Sequence, residues 1–203
     1  MKLHIQNNFT TELPADPSDI NMPRQVQQAC YSYVLPQKPS NPSLIHASVE
    51  VANAIGISQE DILSADFLNT FSGSTIYPGT KPYALSYAGH QFGNWAGQLG
   101  DGRAINLSEV VHENNTYTLQ LKGAGPTPYS RTADGFAVLR SSIREYLCAE
   151  AMHYLGVPTT RSLSLILSGD QVLRDVLYNG NPAYEKGAIV CRVAPSFIRF
   201  GSF

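Results

Sequence analysis

The sequence has few of the features that mark secreted or membrane-spanning proteins. Its 203 residues include only three cysteines, Cys30, Cys148 and Cys191, which lie far apart and have no C-x-x-C spacing. This usage fits a reducing compartment, so we expect a cytoplasmic protein. No apolar run approaches the ~20 residues that a membrane-spanning helix needs, and the N-terminal residues lack the apolar core of a secretory signal.

Charge of either sign is also scarce. Charged residues make up 15% of the chain, and 14 basic against 16 acidic residues give a formal net charge of −2. This balance argues against a broad surface for nucleic acid or for a membrane. Apolar residues make up 43%, which is enough for a sizeable core. We therefore expect a globular protein that binds neither nucleic acid nor membranes, with any anion site confined to a local cluster.

Several motifs of catalytic and metal-binding proteins are missing. The sequence has no H-x-x-x-H or Cys/His cluster and no G-x-S-x-G, so we predict no metal ligands and no hydrolase nucleophile. The glycine-rich stretch GNWAGQLGDGRA, residues 93–104, matches neither the dinucleotide motif nor the P-loop. Both of those motifs lead into a helix, whereas this stretch is interpreted as a loop that leads into a strand.

The chain divides into two parts by composition. Residues 1–82 are rich in proline and polar residues and are interpreted as an N-terminal extension, with one or two short helices in 48–67. In residues 83–203, a predicted hairpin of RAINLSEVV and TYTLQLK precedes a helix, and RSLSLILSGDQVLRDVL and GAIVCRVAPSFIRF follow as strands. Because strands and helices alternate too little for a doubly wound sheet, this order predicts an α+β fold.

The predicted helix spans residues 136–156, with Asp134 as its N-terminal cap and Gly156 at its end. At about 100° per residue, several apolar side chains share one face, which predicts that this face is core. They are Phe136, Leu139, Ile143, Tyr146, Leu147 and Tyr154. Two acids of the helix, Glu145 and Glu150, lie at different angles, and the pattern does not decide which of them pairs with a lysine.

Features on either side of the predicted hairpin favour a kinase-like nucleotide site. Gly100 and Gly102 allow backbone N–H groups to approach phosphates, and Arg103 adds a planar cation. Lys122 ends a strand, where kinase-like proteins place a phosphate-binding lysine that a helix glutamate holds. The simpler alternatives are a tight turn, a solvent-exposed lysine and a surface salt bridge.

Arg192 and Arg199 lie in an apolar stretch, CRVAPSFIR. A buried guanidinium needs an anion, so we expect either a polyphosphate or a structural carboxylate beside them. Their spacing of seven, with Pro195 between them, leaves their relative orientation open.

Three segments closely resemble the selenoprotein O family, also called the YdiU family. They are YAGHQFGNWAGQLGDGRAINL, LQLKGAGPTPYSRTADGFAVLRSSIREYLCAEAMHYLGVPTTRSL and CRVAPSFIRFGSF, and the similarity runs from about Phe9 to the end. Members of this family are protein adenylyltransferases with a protein-kinase-like fold. The resemblance implies that residues 83–203 form a kinase-like N-lobe, an antiparallel sheet with one major helix, and that the second lobe is absent.

The resemblance also implies a reaction and a set of site residues. The family binds ATP in a flipped orientation and, with Mg or Mn, transfers AMP to Ser, Thr or Tyr hydroxyls of proteins. Lys122 would hold phosphate and pair with Glu145, and two arginines would bind the terminal phosphates. The full set of implied nucleotide-site residues is Gly100, Gly102, Arg103, Lys122, Asp134, Gly135, Glu145, Arg192 and Arg199.

The family's general-base aspartate and its metal-binding Asn/Asp pair are expected beyond Phe203. The resemblance therefore implies an N-terminal fragment that does not catalyse alone, because adenylyl transfer without metal ligands lacks its main charge stabilisation. Two alternative functions stay open: a protein kinase, which uses the same glycine loop, lysine and glutamate, and a non-catalytic nucleotide-binding pseudokinase or scaffold.

Overall fold

A computed structural model describes residues 1–203 of the chain. Its strands are β1 (Ile5–Gln6), β2 (Tyr31–Tyr33), β3 (Ser43–Ala47), β4 (Tyr83–Leu85), β5 (Ala88–Gln91), β6 (Asn94–Gln98), β7 (Ala104–His112), β8 (Asn115–Lys122), β9 (Ala137–Val138), β10 (Arg161–Arg174) and β11 (Ala183–Ala194). Its helices are α1 (Asn8–Glu12), α2 (Val49–Ala54), α3 (Gln59–Ile62), α4 (Ala65–Phe71) and α5 (Leu139–Tyr154), and a 3₁₀ turn spans Phe200–Ser202.

Nine of the strands form one sheet, in the order β2-β4-β7-β8-β11-β10-β3, with β1 beside β7 and β9 beside β11. Every pair of these strands is antiparallel. Strands β5 and β6 form a separate hairpin. The predicted α+β class is confirmed, with a mostly antiparallel sheet and α5 as the one long helix.

The main hydrophobic core lies on one face of the sheet, beneath α2, α3 and α4. Alternation along β8 and β11 sends apolar side chains to this face, where they pack with apolar side chains of α2 and α4. The buried set includes Val51, Ile55, Phe67, Phe71, Leu119, Leu121, Cys191 and Val193. Serines at positions 48, 58 and 64 cap the three helices. Residues 48–71 thus hold three short helices where the sequence predicted one or two.

Helix α5 packs against the opposite face of the sheet. Tyr146 is buried there against Leu165 of β10 and against Ala188 and Val190 of β11. The same alternation that sends Leu121 and Cys191 to the core sends Lys122, Val190 and their same-face neighbours toward α5. This face therefore combines a small apolar contact with the polar side chains of the candidate site.

Two predictions about α5 are wrong. Asp134 does not cap it: the N-cap position is Val138, because Ala137–Val138 first pairs with β11 as a short strand. The predicted apolar face is core only in part, since Tyr146 is buried but Ile143, Leu147 and Tyr154 are 38%, 60% and 71% exposed. Hydrophobic periodicity identifies the apolar side chains of a helix, but here packing on β10 and β11 buries the neighbouring face.

The hairpin of β7 and β8 forms as predicted, around a turn in which Glu113 and Asn114 have positive φ angles. The strands β1 to β6 and β9 were not predicted. Strand β6 occupies five of the twelve residues of the glycine-rich stretch 93–104, so the loop itself is only residues 99–103.

Candidate functional site

The glycine loop between β6 and β7 is held against a second loop, residues 127–130. A Cβ atom at Gly100 would lie 2.4 Å from the ring of Tyr129, and one at Gly102 would lie 2.8 Å from the Tyr129 carbonyl oxygen. The Ser130 hydroxyl donates to the Gly102 carbonyl, and the Thr127 hydroxyl donates to the Asp101 carbonyl at 2.7 Å. Close approach of these two loops therefore explains both glycines, which also border a cavity.

Lys122, the last residue of β8, forms an ion pair with Glu145 of α5. The distance from Nζ to Glu145 Oε2 is 2.6 Å. Glu150, the other candidate, instead accepts hydrogen bonds from Arg161 at 2.8 Å and from the backbone N–H of Ser162 at 2.9 Å. Burial lowers the pKa of Lys122, as do the nearby Arg192 and Arg103 guanidinium groups, while Glu145 opposes the shift.

Arg192 and Arg199 border the same cavity, although the sequence did not predict their relative orientation. Arg192 Nη1 lies 3.2 Å from Glu145 Oε1, and its guanidinium stands over the ring of Phe197 at 5.2 Å. Arg199 Nη2 lies 3.8 Å from Asp101 Oδ1, and its guanidinium stands 4.8 Å from the Tyr87 ring centroid. Each arginine thus has a structural carboxylate and also lines a cavity that could hold an anion.

The cavity beside the glycine loop has a volume of about 360 Å³ and a cationic lining. Its charged lining residues are Arg103, Lys122, Arg131, Arg192, Arg199 and a single acid, Asp101. Glu145 lies behind Lys122 and Arg192 and offsets part of their charge. The remaining excess of positive charge, in a chain whose net charge is −2, makes this cavity the candidate for a local anion site.

Asp134 and Gly135 lie just outside the lining of this cavity, which Ala133 borders. Asp134 pairs with Arg174 at 2.6 Å and accepts a hydrogen bond from the backbone N–H of Phe136 at 3.0 Å. Gly135 has a φ angle of +79°, and a Cβ there would lie 2.2 Å from the backbone nitrogen of Pro126. Both residues are therefore fixed by their neighbours in the wall next to the cavity.

Sequence reasoning missed a buried polar group in the wall of the cavity, centred on Asp101. Asp101 is only 2% exposed, and its carboxylate accepts from the backbone N–H of Leu85 and from the side-chain amides of Asn106 and Gln120. Burial raises the pKa of Asp101, against the effect of Arg199 and Arg192. The alternation of TYTLQLK was the available signal, because it places Gln120 on the same strand face as Lys122.

No three His, Cys, Asp or Glu side chains of residues 1–203 come together in a group that could hold a metal ion. None of the helices combines the length and the apolar character that crossing a lipid bilayer requires.

The comparisons with known proteins agree on one family. The family model described as "Protein adenylyltransferase SelO" matches residues 21–203. Curated relatives named "Protein nucleotidyltransferase YdiU" are 77% identical over 201 residues in Flavobacterium johnsoniae, 60% over 202 in Rhodopirellula baltica and 59% over 201 in Tolumonas auensis. Each match covers 99% of this chain, but the chain spans only 37% to 39% of the length of these relatives.

Proposed function

This chain belongs to the SelO family, and we propose that it is the nucleotide-binding part of an enzyme that transfers AMP from ATP to Ser, Thr or Tyr hydroxyls of proteins. The names of the family and of the relatives support nucleotidyl transfer to proteins. The choice of AMP, of these hydroxyls and of ATP as donor is the proposal.

The observation that carries the proposal is the cationic cavity. Five cationic side chains surround it, including Lys122, Arg192 and Arg199, and Asp101 is the single acid in its lining. A triphosphate is an anion with enough charge to match this lining, and guanidinium groups bind phosphate oxygens in bidentate geometry. The ion pair of Lys122 with Glu145 supports assigning residues 83–203 to a kinase-like N-lobe, with residues 1–82 as its N-terminal extension.

In the proposed reaction, Arg192 and Arg199 bind the outer phosphates and Lys122 binds a phosphate at the end of β8. The α-phosphate then lies toward the open side of the cavity. A protein hydroxyl gives its proton to a general base proposed to lie outside residues 1–203, its oxygen forms a bond to the α-phosphorus, and the bond from that phosphorus to the bridging oxygen breaks. Pyrophosphate leaves, and the nearby guanidinium groups stabilise the negative charge that develops on it.

Gly100, Gly102 and Arg103 are proposed to contact the nucleotide from the glycine loop, and Asp134 and Gly135 from the adjoining wall. The proposal includes Mg or Mn as a cofactor. Residues 1–203 contain no cluster that fits a metal ion, so we assign no step of the reaction to a metal here. The general base and the metal ligands are proposed to lie outside these residues, which makes residues 1–203 inactive by themselves.

Labelled ATP distinguishes the proposed reaction from its alternatives. The full-length protein is incubated with cell proteins and with ATP that carries its label on the α- or the γ-phosphate, and the Lys122→Ala variant serves as the inactive control. Label retained from the α-phosphate alone supports AMP transfer. Label retained from the γ-phosphate alone indicates a protein kinase, and no label from either, with ATP still bound, indicates a non-catalytic nucleotide-binding protein.

A further inference from the structure

Three polar side chains lie in register across adjacent strands next to the cavity. Asn106 of β7 is the partner of Gln120 of β8, and Gln120 is the partner of Arg192 of β11. The side chains of Asn106 and Gln120 are fully buried, and neither lines the cavity. Burying a polar group costs free energy unless the group is hydrogen-bonded. The partners of these three side chains therefore indicate their role.

Both the nitrogen and the oxygen of the Gln120 side-chain amide form hydrogen bonds. Its Nε2 donates to Asn106 Oδ1 at 3.0 Å and to Asp101 Oδ2 at 3.3 Å. Its Oε1 accepts a hydrogen bond from Arg192 Nη2. The orientation of the amide is fixed by chemistry, since only its oxygen can accept from a guanidinium and only its nitrogen can donate to a carboxylate.

Arg192 is therefore held on two sides. Its Nη2 donates a hydrogen bond to Gln120 Oε1, and its Nη1 lies 3.2 Å from Glu145 Oε1. Arg192 Nε is buried and has no hydrogen-bond partner. Burial lowers the pKa of Arg192, against the attraction of Glu145 and Asp101. Without Gln120, one of the two polar contacts that orient the guanidinium at the cavity would be lost.

We infer that Gln120 is a positioning residue that sets the preference of the site for ATP over AMP by fixing Arg192 toward the outer phosphates. This inference rests on the proposed function, in which Arg192 binds phosphates that AMP does not have. Gln120 acts through Arg192 and does not touch the nucleotide. Its loss therefore weakens the binding of ATP and leaves that of AMP nearly unchanged.

The test measures dissociation constants for ATP and for AMP by calorimetry with the full-length protein. Gln120→Met keeps the length of the side chain and removes both hydrogen-bonding ends. We expect it to weaken ATP binding about tenfold and AMP binding less than about twofold. Thr118→Val, a buried polar-to-apolar change on the same face of β8, is the matched control and should leave the ratio of the two constants unchanged.

A double variant tests the route through Arg192. If Gln120 acts only through Arg192, then Gln120→Met adds nothing to the effect of Arg192→Ala on ATP binding. Additive effects, or equal losses for ATP and AMP in Gln120→Met, would overturn the inference. If Gln120→Met does not fold, Gln120→Asn gives the same reading, because its amide is one methylene shorter and cannot hold both Arg192 Nη2 and the side chains of Asn106 and Asp101.

The proposed function and this inference fail in different ways. If Arg192→Ala leaves the ratio of ATP to AMP binding unchanged, the assignment of Arg192 to the outer phosphates is wrong. If Arg192→Ala changes the ratio and the folded Gln120 variants do not, only the positioning role of Gln120 is wrong.

Discussion

Lys122 Nζ lies 2.6 Å from Glu145 Oε2, across the space between the end of β8 and α5. The other oxygen of the same carboxylate lies 3.2 Å from Arg192 Nη1. One helix carboxylate thus stands between two cations of the cavity and reduces the repulsion between them. A displacement of α5 would therefore disturb the phosphate site at two positions at once.

Lys122→Ala should reduce AMP transfer by the full-length protein about a hundredfold, because it removes a cation placed where charge develops in the reaction. ATP binding should fall much less, since four other cationic side chains line the cavity. The measurement pairs the transfer of α-labelled phosphate with calorimetric ATP binding. Lys186→Ala, an exposed lysine on β11, is the control and should change neither. Full activity in Lys122→Ala would contradict the proposed role.

Arg192→Ala and Arg199→Ala should each weaken ATP binding by about tenfold or more and AMP binding only slightly. The reason is that only ATP carries the outer phosphates that the two guanidinium groups are proposed to bind. Arg140→Ala is the control, because its ion pair with Glu185 lies on the surface away from the cavity lining. Equal losses of affinity for ATP and AMP would show that the arginines serve the fold and not the phosphates.

Gly102→Ala should lower the free energy of unfolding by about 1 to 3 kcal/mol, because its Cβ meets backbone atoms that cannot move aside easily. The contacts are the Tyr129 carbonyl oxygen at 2.8 Å and Ser130 Cα at 3.2 Å. Gly89→Ala is the matched control, since its Cβ would meet only a methyl group of Leu99, at 3.3 Å. Denaturant unfolding compares the two variants, and equal stabilities would argue against tight contact between the loops.

Asp16→Asn should destabilise the fold more at pH 7 than at acidic pH. Burial favours the neutral form of Asp16, but hydrogen bonds from Ser32 at 2.7 Å and Ser18 at 3.1 Å, with the Arg24 cation, lower its pKa below 3.8. A carboxyl whose pKa is lowered by folding contributes stability above its unfolded pKa, and that stability is lost as pH falls through the folded value.

The expected loss for Asp16→Asn is about 1 to 3 kcal/mol at pH 7. Denaturant unfolding at pH 7 and at a pH below the folded value measures the difference. The exposed Asp19 provides the control variant, Asp19→Asn, which should change stability little at either pH. A loss for Asp16→Asn that is the same at both pH values would show that the charge of Asp16 does not contribute.

The sequence predicted best where the deciding interactions are local. The hairpin of β7 and β8 follows from the alternation of apolar and polar residues on both sides of the HENN turn, and its end places Lys122 beside an irregular loop. The choice between Glu145 and Glu150 could not be read from a helical wheel, because it depends on where Arg161 and Lys122 lie in space. Only the family resemblance favoured Glu145 before the structure.

Elements that depend on distant partners were predicted poorly. The strands β2 and β3 lie in a proline-rich part of the chain and show little alternation, and their partners are β4 and β10. The exposed apolar face of α5 and the strand of Ala137–Val138 that delays its start are likewise set by packing on the sheet. In each case, the sequence specifies the side chains but does not show where the surface that they pack against will lie.

The packing of α2, α3 and α4 on one face of the sheet affects how the chain folds during its synthesis on the ribosome. These helices and β3 are synthesised early, but Ala47 pairs with Ser164, and Phe67 and Phe71 pack on strands made much later. Helices this short are unstable until they are packed. Until β10 has emerged, α2, α3 and α4 have no completed sheet face on which to pack, so we expect these helices to become ordered late in synthesis.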